Sequence, residues 1–387
     1  MICVHVTHEA VEKMGGIGSV IAGLATAPAY QRTIGRTILA GPLFSTDRPA
    51  AQRLGADGRI IYSSLDGIDE GGWSARFRPI EQRYQVGIVY GIRKVREEQL
   101  ERTVDVEVLL VDVFRCNEDR LNLFKRELYE KFSSPSDRFQ AIWEYEEYVR
   151  LAEPLYEGLH VIGCDGAGDE PLLLLSHEYM GLPTAFKAIL DGRTDVRTAF
   201  YAHEVASVRE MLEKHPGHDL MFYRLLEQAE RDGRELESYF PEVADFFKHP
   251  LTKSARHCDA IFAVGDYVAR EIRLLSPKSR RFPVEIVYNG IPAPRQGLDQ
   301  RRQRRDRLIG YAENLFGFRP DYIFAHVARP VLSKGIWRDL RLLHELDTRL
   351  AERGQRAAYY MLGTLAGQRR VQDVLTMERT YGWPVEH

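Results

Sequence analysis

The apolar run Ile2–Val6 passes into a loop at residues 13–20, KMGGIGSV, that carries glycine at positions 15, 16 and 18. Apolar residues at helical spacing begin beyond it with Val20, Ile21 and Leu24. A strand, a glycine loop and a helix in that order narrow the choice of folds more than any other stretch. Gly15, Gly16 and Gly18 let the backbone turn at positive φ and approach a ligand closely. A helix opening at Gly18 or Ser19 would aim its unpaired N–H groups and positive dipole end into the loop. Such a seat suits phosphate, and Lys13 would add a full charge at its rim. A tight packing turn would use the same residues, so the rest of the chain must decide.

The strand-and-helix pattern continues. Short β-type runs fall at residues 37–40, 59–63, 85–90 and 104–111. Residues 115–159 turn helical, with Leu121, Phe124, Leu128 and Phe132 on one stripe and Ile142, Tyr145 and Val149 on another. These stripes read as core faces rather than ligand boxes. The fully apolar run at 172–175 has the character of a buried parallel strand, and further strands are expected at 198–201, 260–264 and 285–288. A helical pattern at 184–190 separates the first two. This alternation predicts an α/β fold with a doubly wound parallel sheet.

At 387 residues the chain is too long for one ordinary core, and two domains are expected. Prolines and glycines between 290 and 297 mark a boundary, after which strand runs resume at 322–327 and 358–362. The expected division is 1–300, with a charged helical insertion at about 210–250 forming a solvated excursion, and 301–387. The second part is too short for a complete nucleotide-binding sheet, which needs about 100–150 residues. It is expected to be the start of a domain, from a truncated chain or a degenerate family member.

Net charge is −3, which gives no reason to expect nucleic acid or an anionic membrane. No apolar run approaches the roughly 20 residues of a membrane span. The opening MICVHVTHEA lacks the features of a signal or transit peptide. Cys3, Cys116, Cys164 and Cys258 are widely spaced; Cys3, Cys164 and Cys258 lie in or beside apolar segments, as buried thiols in a reducing compartment would, and a cytoplasmic location is expected. No His or Cys spacing suits zinc. The basic run at 301–307 lacks interleaved aromatics and reads as a solvated helix face rather than a nucleic-acid site.

Polar residues appear abruptly where the apolar strands end: His177-Glu178, His203-Glu204 and Asn289-Gly290. Ligands of doubly wound sheets bind at the carboxyl ends of strands. A lone His there is commonly a hydrogen-bonded loop residue. Two successive strands both ending in His-Glu are harder to dismiss.

These segments also resemble, in one order, those of glycogen and starch synthases, retaining glycosyltransferases of the GT-B fold. KMGGIGSV resembles their lysine–glycine loop, SHEYMGLPTAF their His-acidic-aromatic motif, and TAFYAHE the strand ending in their sugar-facing His. ARHCDAIFAVGDYVAREI resembles the segment before their hinge, EIVYNGI the Asn-Gly hinge itself, and Arg329 with Lys334-Gly335 their diphosphate-gripping pair. The matches run from residue 1 to about 340. Glu204 stands where bacterial members carry Asn, Ile17 where Leu is usual and Ser19 where Asp is usual.

The resemblance implies two Rossmann-like domains of GT-B type, the second incomplete, and transfer of a hexose, glucose first, from a UDP- or ADP-sugar to a glycan acceptor with retention. It implies that Lys13, Gly15, Gly16, Gly18, Arg329 and Lys334 bind the donor diphosphate. His203, Arg329 and Lys334 would serve catalysis, and His177, Glu178 and Glu204 the acceptor and sugar. Asn289 and Gly290 would form the hinge. With cations supplied by side chains, neither a metal nor another cofactor is required; self-association is left open. A sugar-nucleotide epimerase of the same fold and a non-catalytic nucleotide-sugar-binding or scaffolding protein are the alternatives.

Overall fold

A computed structural model of the chain describes residues 1–12, 15–44, 49–55, 57–164, 170–213, 218–276, 283–290, 295–328, 330, 334–363, 376 and 379–380. It forms two compact units, Met1–Ala293 and Pro294–His387.

The first unit opens with β1 (Ile2–Val6), α1 (Ile17–Ala25), α2 (Pro28–Thr33) and β2 (Arg36–Pro42). A largely antiparallel stretch follows: β3 (Arg59–Ser63), β4 (Ile68–Asp69), α3 (Ser74–Tyr84), β5 (Gly87–Glu97) and β6 (Arg102–Asp112). Next come α4 (Glu118–Phe132), α5 (Trp143–Val161), β7 (Leu172–His177), α6 (Glu178–Asp191) and β8 (Val196–Ala202). The unit closes with α7 (Ala206–Glu213), α8 (His218–Asp232), α9 (Lys248–Ser254), β9 (Ala260–Ala263), α10 (Asp266–Leu275) and β10 (Val284–Ile286).

Ten strands make one sheet in the order β10-β9-β8-β7-β1-β2-β6-β5-β3-β4. From β10 to β6 every pairing is parallel; β6-β5-β3-β4 is antiparallel. The fold is α/β as expected, but the sheet is mixed. The hairpin of β5 and β6 extends to residue 97, past the expected end at 90, because Arg93, Lys94 and Arg96 interrupt the apolar pattern in the sequence. Pairing with β6 holds them in strand conformation, and Arg93 Nη1 donates to the carbonyls of Ala10 and Val11.

The apolar stripes become core. On α4, Asn117 accepts from the amide of Arg120 at 3.3 Å, while Leu121, Phe124, Leu128 and Phe132 are buried. Phe132 stacks on Phe186 of α6 at 4.5 Å between ring centres. The segment expected to be a solvated excursion is instead joined to this core. Leu225, Leu226 and Ala229 of α8, with Leu236, Phe240 and Val243 beyond it, are buried in the main cluster. Burial of an amphipathic face against a sheet-covering layer outweighs its high charge.

The second unit contains α11 (Leu298–Phe316), β11 (Tyr322–Val327), α12 (Ile336–Glu352) and β12 (Ala357–Leu362). β11 and β12 pair in parallel, Tyr322 opposite Ala357. The basic run at 301–307 lies exposed on α11.

Candidate functional site

The loop after β1 differs from expectation in detail. α1 begins at Ile17, with Gly16 as its cap at φ −84° and ψ −20°, and neither Gly15, Gly16 nor Gly18 adopts a positive φ. A helix entered through right-handed backbone does not need the left-handed region. The helix N-terminus also already holds an anion. The buried Glu9 carboxylate accepts from the amide of Gly18 at 2.8 Å, and His8 Nε2 stands 3.6 Å from its other oxygen. Lys13 lies outside the described residues.

Beside this loop is a cleft of about 410 Å3, walled by Gly16 and Ser19 at the start of α1, Arg96 and Gln99 at the hairpin tip, and Asn289 and Gly290. Two motifs nearly the whole length of the unit apart thus meet at one opening. The hairpin tip is the wall that sequence reading missed. Its only signal was a charged alternation, which looks like any solvated loop.

His177 and His203 lie on neighbouring strand ends, together with a residue the sequence reading passed over. His5, in the middle of apolar β1, is fully buried. β1 pairs with β7 so that His5 opposes Leu175, and β7 pairs with β8 so that His177 opposes Tyr201. Each histidine therefore sits two residues beyond the register partner of the one before, which keeps all three on the same sheet face. Their rings stack nearly parallel, 5.2 and 5.3 Å between centres with tilts of 23° and 22°, close to the spacing of the strands that carry them. His5 Nδ1 contacts His177 Nε2 at 2.9 Å, and His177 Nδ1 contacts His203 Nε2 at 3.0 Å. Burial lowers His5 and His203 to about 4 and His177 well below the usual range, so all three are neutral at pH 7. An isolated histidine within a buried strand was the available signal.

This geometry corrects the expectation that His177 contacts a ligand: it is fully buried, and both ring nitrogens are taken. His203 is half-buried and keeps Nδ1 without a hydrogen bond to any described residue. Tyr201 lies with its ring centre 4.6 Å from that of His203, and its hydroxyl donates to Asn289 Oδ1 at 3.1 Å. The phenol thereby ties the histidine file to the cleft wall.

Glu178 was also expected to face outward, and does not. Its carboxyl is buried and accepts from the backbone amides of His203 and Glu204. Burial first, and then the charge of exposed Glu204, raise it to about 8, so it retains its proton at neutral pH. Its φ is +57°, in the left-handed region that non-glycine residues avoid at a cost of about 1 kcal/mol or more. α6 starts at this residue, six positions before the sequence-based expectation, because Gly181 and Pro183 resemble helix breakers. Gly181 is in fact a packing requirement: a Cβ there would lie 2.7 Å from Ser176 Cα and 2.8 Å from the Val6 carbonyl.

A further polar group borders the same edge. Glu144 at the start of α5 accepts from Lys248 Nζ at 2.7 Å and from the Tyr179 hydroxyl. Burial opposes its ionisation, but these hydrogen bonds hold it below the usual range. Burial, followed by the Glu144 charge, raises neighbouring Glu147 to about 7. Among the described residues no group of three or more His, Cys, Asp or Glu is arranged to hold a metal ion. No helix among them is long and apolar enough to cross a membrane.

In the second unit Lys334 is exposed at the turn before α12, next to Gly335 at φ +67°. Arg329 lies outside the described residues.

The first unit thus defines a class: an α/β protein with a polar cleft at the carboxyl edge of parallel strands. No protein-family model matches the chain, and no curated protein does either. Among solved structures it is similar to an α,α-trehalose-phosphate synthase (UDP-forming) from Burkholderia vietnamiensis, with 13% identity over 98% of this chain and 67% of that one, at a TM-score of 0.44. A likeness that loose bears on neither fold nor activity.

Proposed function

We propose that the chain is a nucleotide-sugar-dependent glycosyltransferase, of the retaining, glycogen-synthase-like kind. The observation that carries this reading is the meeting of three motifs at one sheet edge: the start of α1, His203 at the end of β8, and Asn289-Gly290 at the cleft wall. In transfer from a nucleotide sugar, negative charge grows on the leaving diphosphate and positive charge at the anomeric carbon. Fixed donors aimed where charge develops make the largest catalytic contribution. Arg329 supplies a planar fork for phosphate oxygens and Lys334 a point charge. His203, neutral, hydrogen-bonds the transferred hexose. Glu204 is the exposed acid left to meet the acceptor.

The test is a panel of nucleoside-diphosphate sugars scored first for thermal stabilisation, then for release of free nucleoside diphosphate with a glycan acceptor. Stabilisation by one UDP- or ADP-sugar with acceptor-dependent release is expected. Isomer formation without release would replace this reading with an epimerase, and binding with neither would make the chain a non-catalytic binder. Lys334→Ala should lower any transfer rate on the order of a hundredfold with little change in stability. Unchanged turnover would remove Lys334 from the mechanism.

A further inference from the structure

The histidine file has an end that is chemically defined. At His5 Nε2 stand the Tyr30 hydroxyl at 2.9 Å and Cys3 Sγ at 3.6 Å, and Tyr30 also meets Thr37 Oγ1 at 3.2 Å. Burial keeps both donors protonated, raising the Tyr30 phenol and pushing the Cys3 thiol up to about 11. A neutral imidazole has one N–H and one lone pair. Each ring-to-ring hydrogen bond takes the N–H of one ring and the lone pair of the next. The file therefore satisfies all its bonds in only two arrangements, with every proton pointing one way or every proton pointing the other.

We propose that Tyr30, seconded by Cys3, fixes one direction, so that His5, His177 and His203 all carry their proton on Nδ1 and His203 presents a neutral N–H donor at the open end. The phenol is a stronger donor than acceptor, and a thiol beside it offers a second S–H to the same nitrogen. Nε2 of His5 is thus the acceptor, Nδ1–H of His5 donates to His177, and Nδ1–H of His177 donates to His203. His203 then recognises a ligand through an oxygen lone pair, of a sugar hydroxyl or a phosphate, and has no lone pair free to accept a proton. His5, His177 and Tyr30 are positioning residues that act only through His203. The choice of ligand rests on the glycosyltransferase reading; the direction of the file does not.

The full chain labelled with 15N in its histidine rings, without ligand and near pH 7.5, reports each tautomer directly, with assignments from His5→Gln and His177→Gln. The expected result is Nδ1 protonated and Nε2 unprotonated in all three rings. Cys3→Ala with Tyr30→Phe removes both donors. The intrinsic preference of histidine for Nε2–H should then appear in His5, His177 and His203 together, two rings away from the changed residue. An Nε2–H or doubly protonated ring in the unmodified chain would overturn the proposal. So would a double variant in which His5 responds and His203 does not. If the double variant fails to fold, the spectrum of the unmodified chain still decides the direction. None of these readouts requires turnover, so failure of the transferase reading and failure of this one are separate outcomes.

Discussion

At the scale of single residues, two carboxyl groups distinguish this site from a bare phosphate seat. Glu178 is raised to about 8 against an ordinary value near 4.5, so the folded state holds a proton that the unfolded state releases between those pH values. Stability should therefore fall as pH rises through that window. Glu178→Gln keeps an oxygen for the two backbone amides and removes the ionisation. Urea unfolding should show the variant gaining on the parent chain from pH 5 to pH 8.5, by on the order of a few kcal/mol. A difference independent of pH would place the strain at Glu178 in its backbone alone. Glu9 lies where a diphosphate is expected, bound to the Gly18 amide. Glu9→Gln retains the acceptor and removes a charge that repels the ligand, and should tighten nucleoside-diphosphate binding about tenfold by calorimetry. Weaker binding would mean that the carboxylate serves the site as it stands. The Glu9 contact was not legible in the sequence, because its partner is a backbone amide nine residues away.

Among elements, the packing of α6 on the strand before it leaves no room for a side chain at one position. Its first turns cross β7 and β1 so closely that a methyl group at position 181 would meet Ser176 and the Val6 carbonyl inside van der Waals distance. Gly181→Ala should cost about 1–3 kcal/mol in denaturant unfolding, more than its helix propensity could return. An unchanged midpoint would show that α6 can shift freely. The hairpin of β5 and β6 illustrates the opposite limit of sequence reading. Its charged residues carry no strand signature, yet it forms a cleft wall because β6 offers a full register of partners. Strand propensity depends on the neighbours across the ladder, and those are set by topology.

At the scale of the molecule, the same buried histidines that organise the site make the fold acid-sensitive. His5 and His203 drop to about 4 and His177 well below its ordinary value, so folding favours their neutral forms. Their contribution is fully present above about pH 6.5 and is lost as pH falls towards 4. Denaturant midpoints measured from pH 7 to pH 4.5 should decline, and His5→Gln should flatten that decline; equal slopes in the two proteins would contradict it. The α/β class, the apolar strands and the residues at their carboxyl ends were all readable in the chain, because burial on both faces writes itself as uninterrupted apolar runs. So were the core stripes of α4 and the run that became β11, since periodicity needs only local sequence. The antiparallel wing, the buried fates of His177 and Glu178, and the joining of His5 to them were decided only by tertiary structure. Each depends on which strand lies beside which and in what register, and that is fixed by packing between segments far apart in the chain.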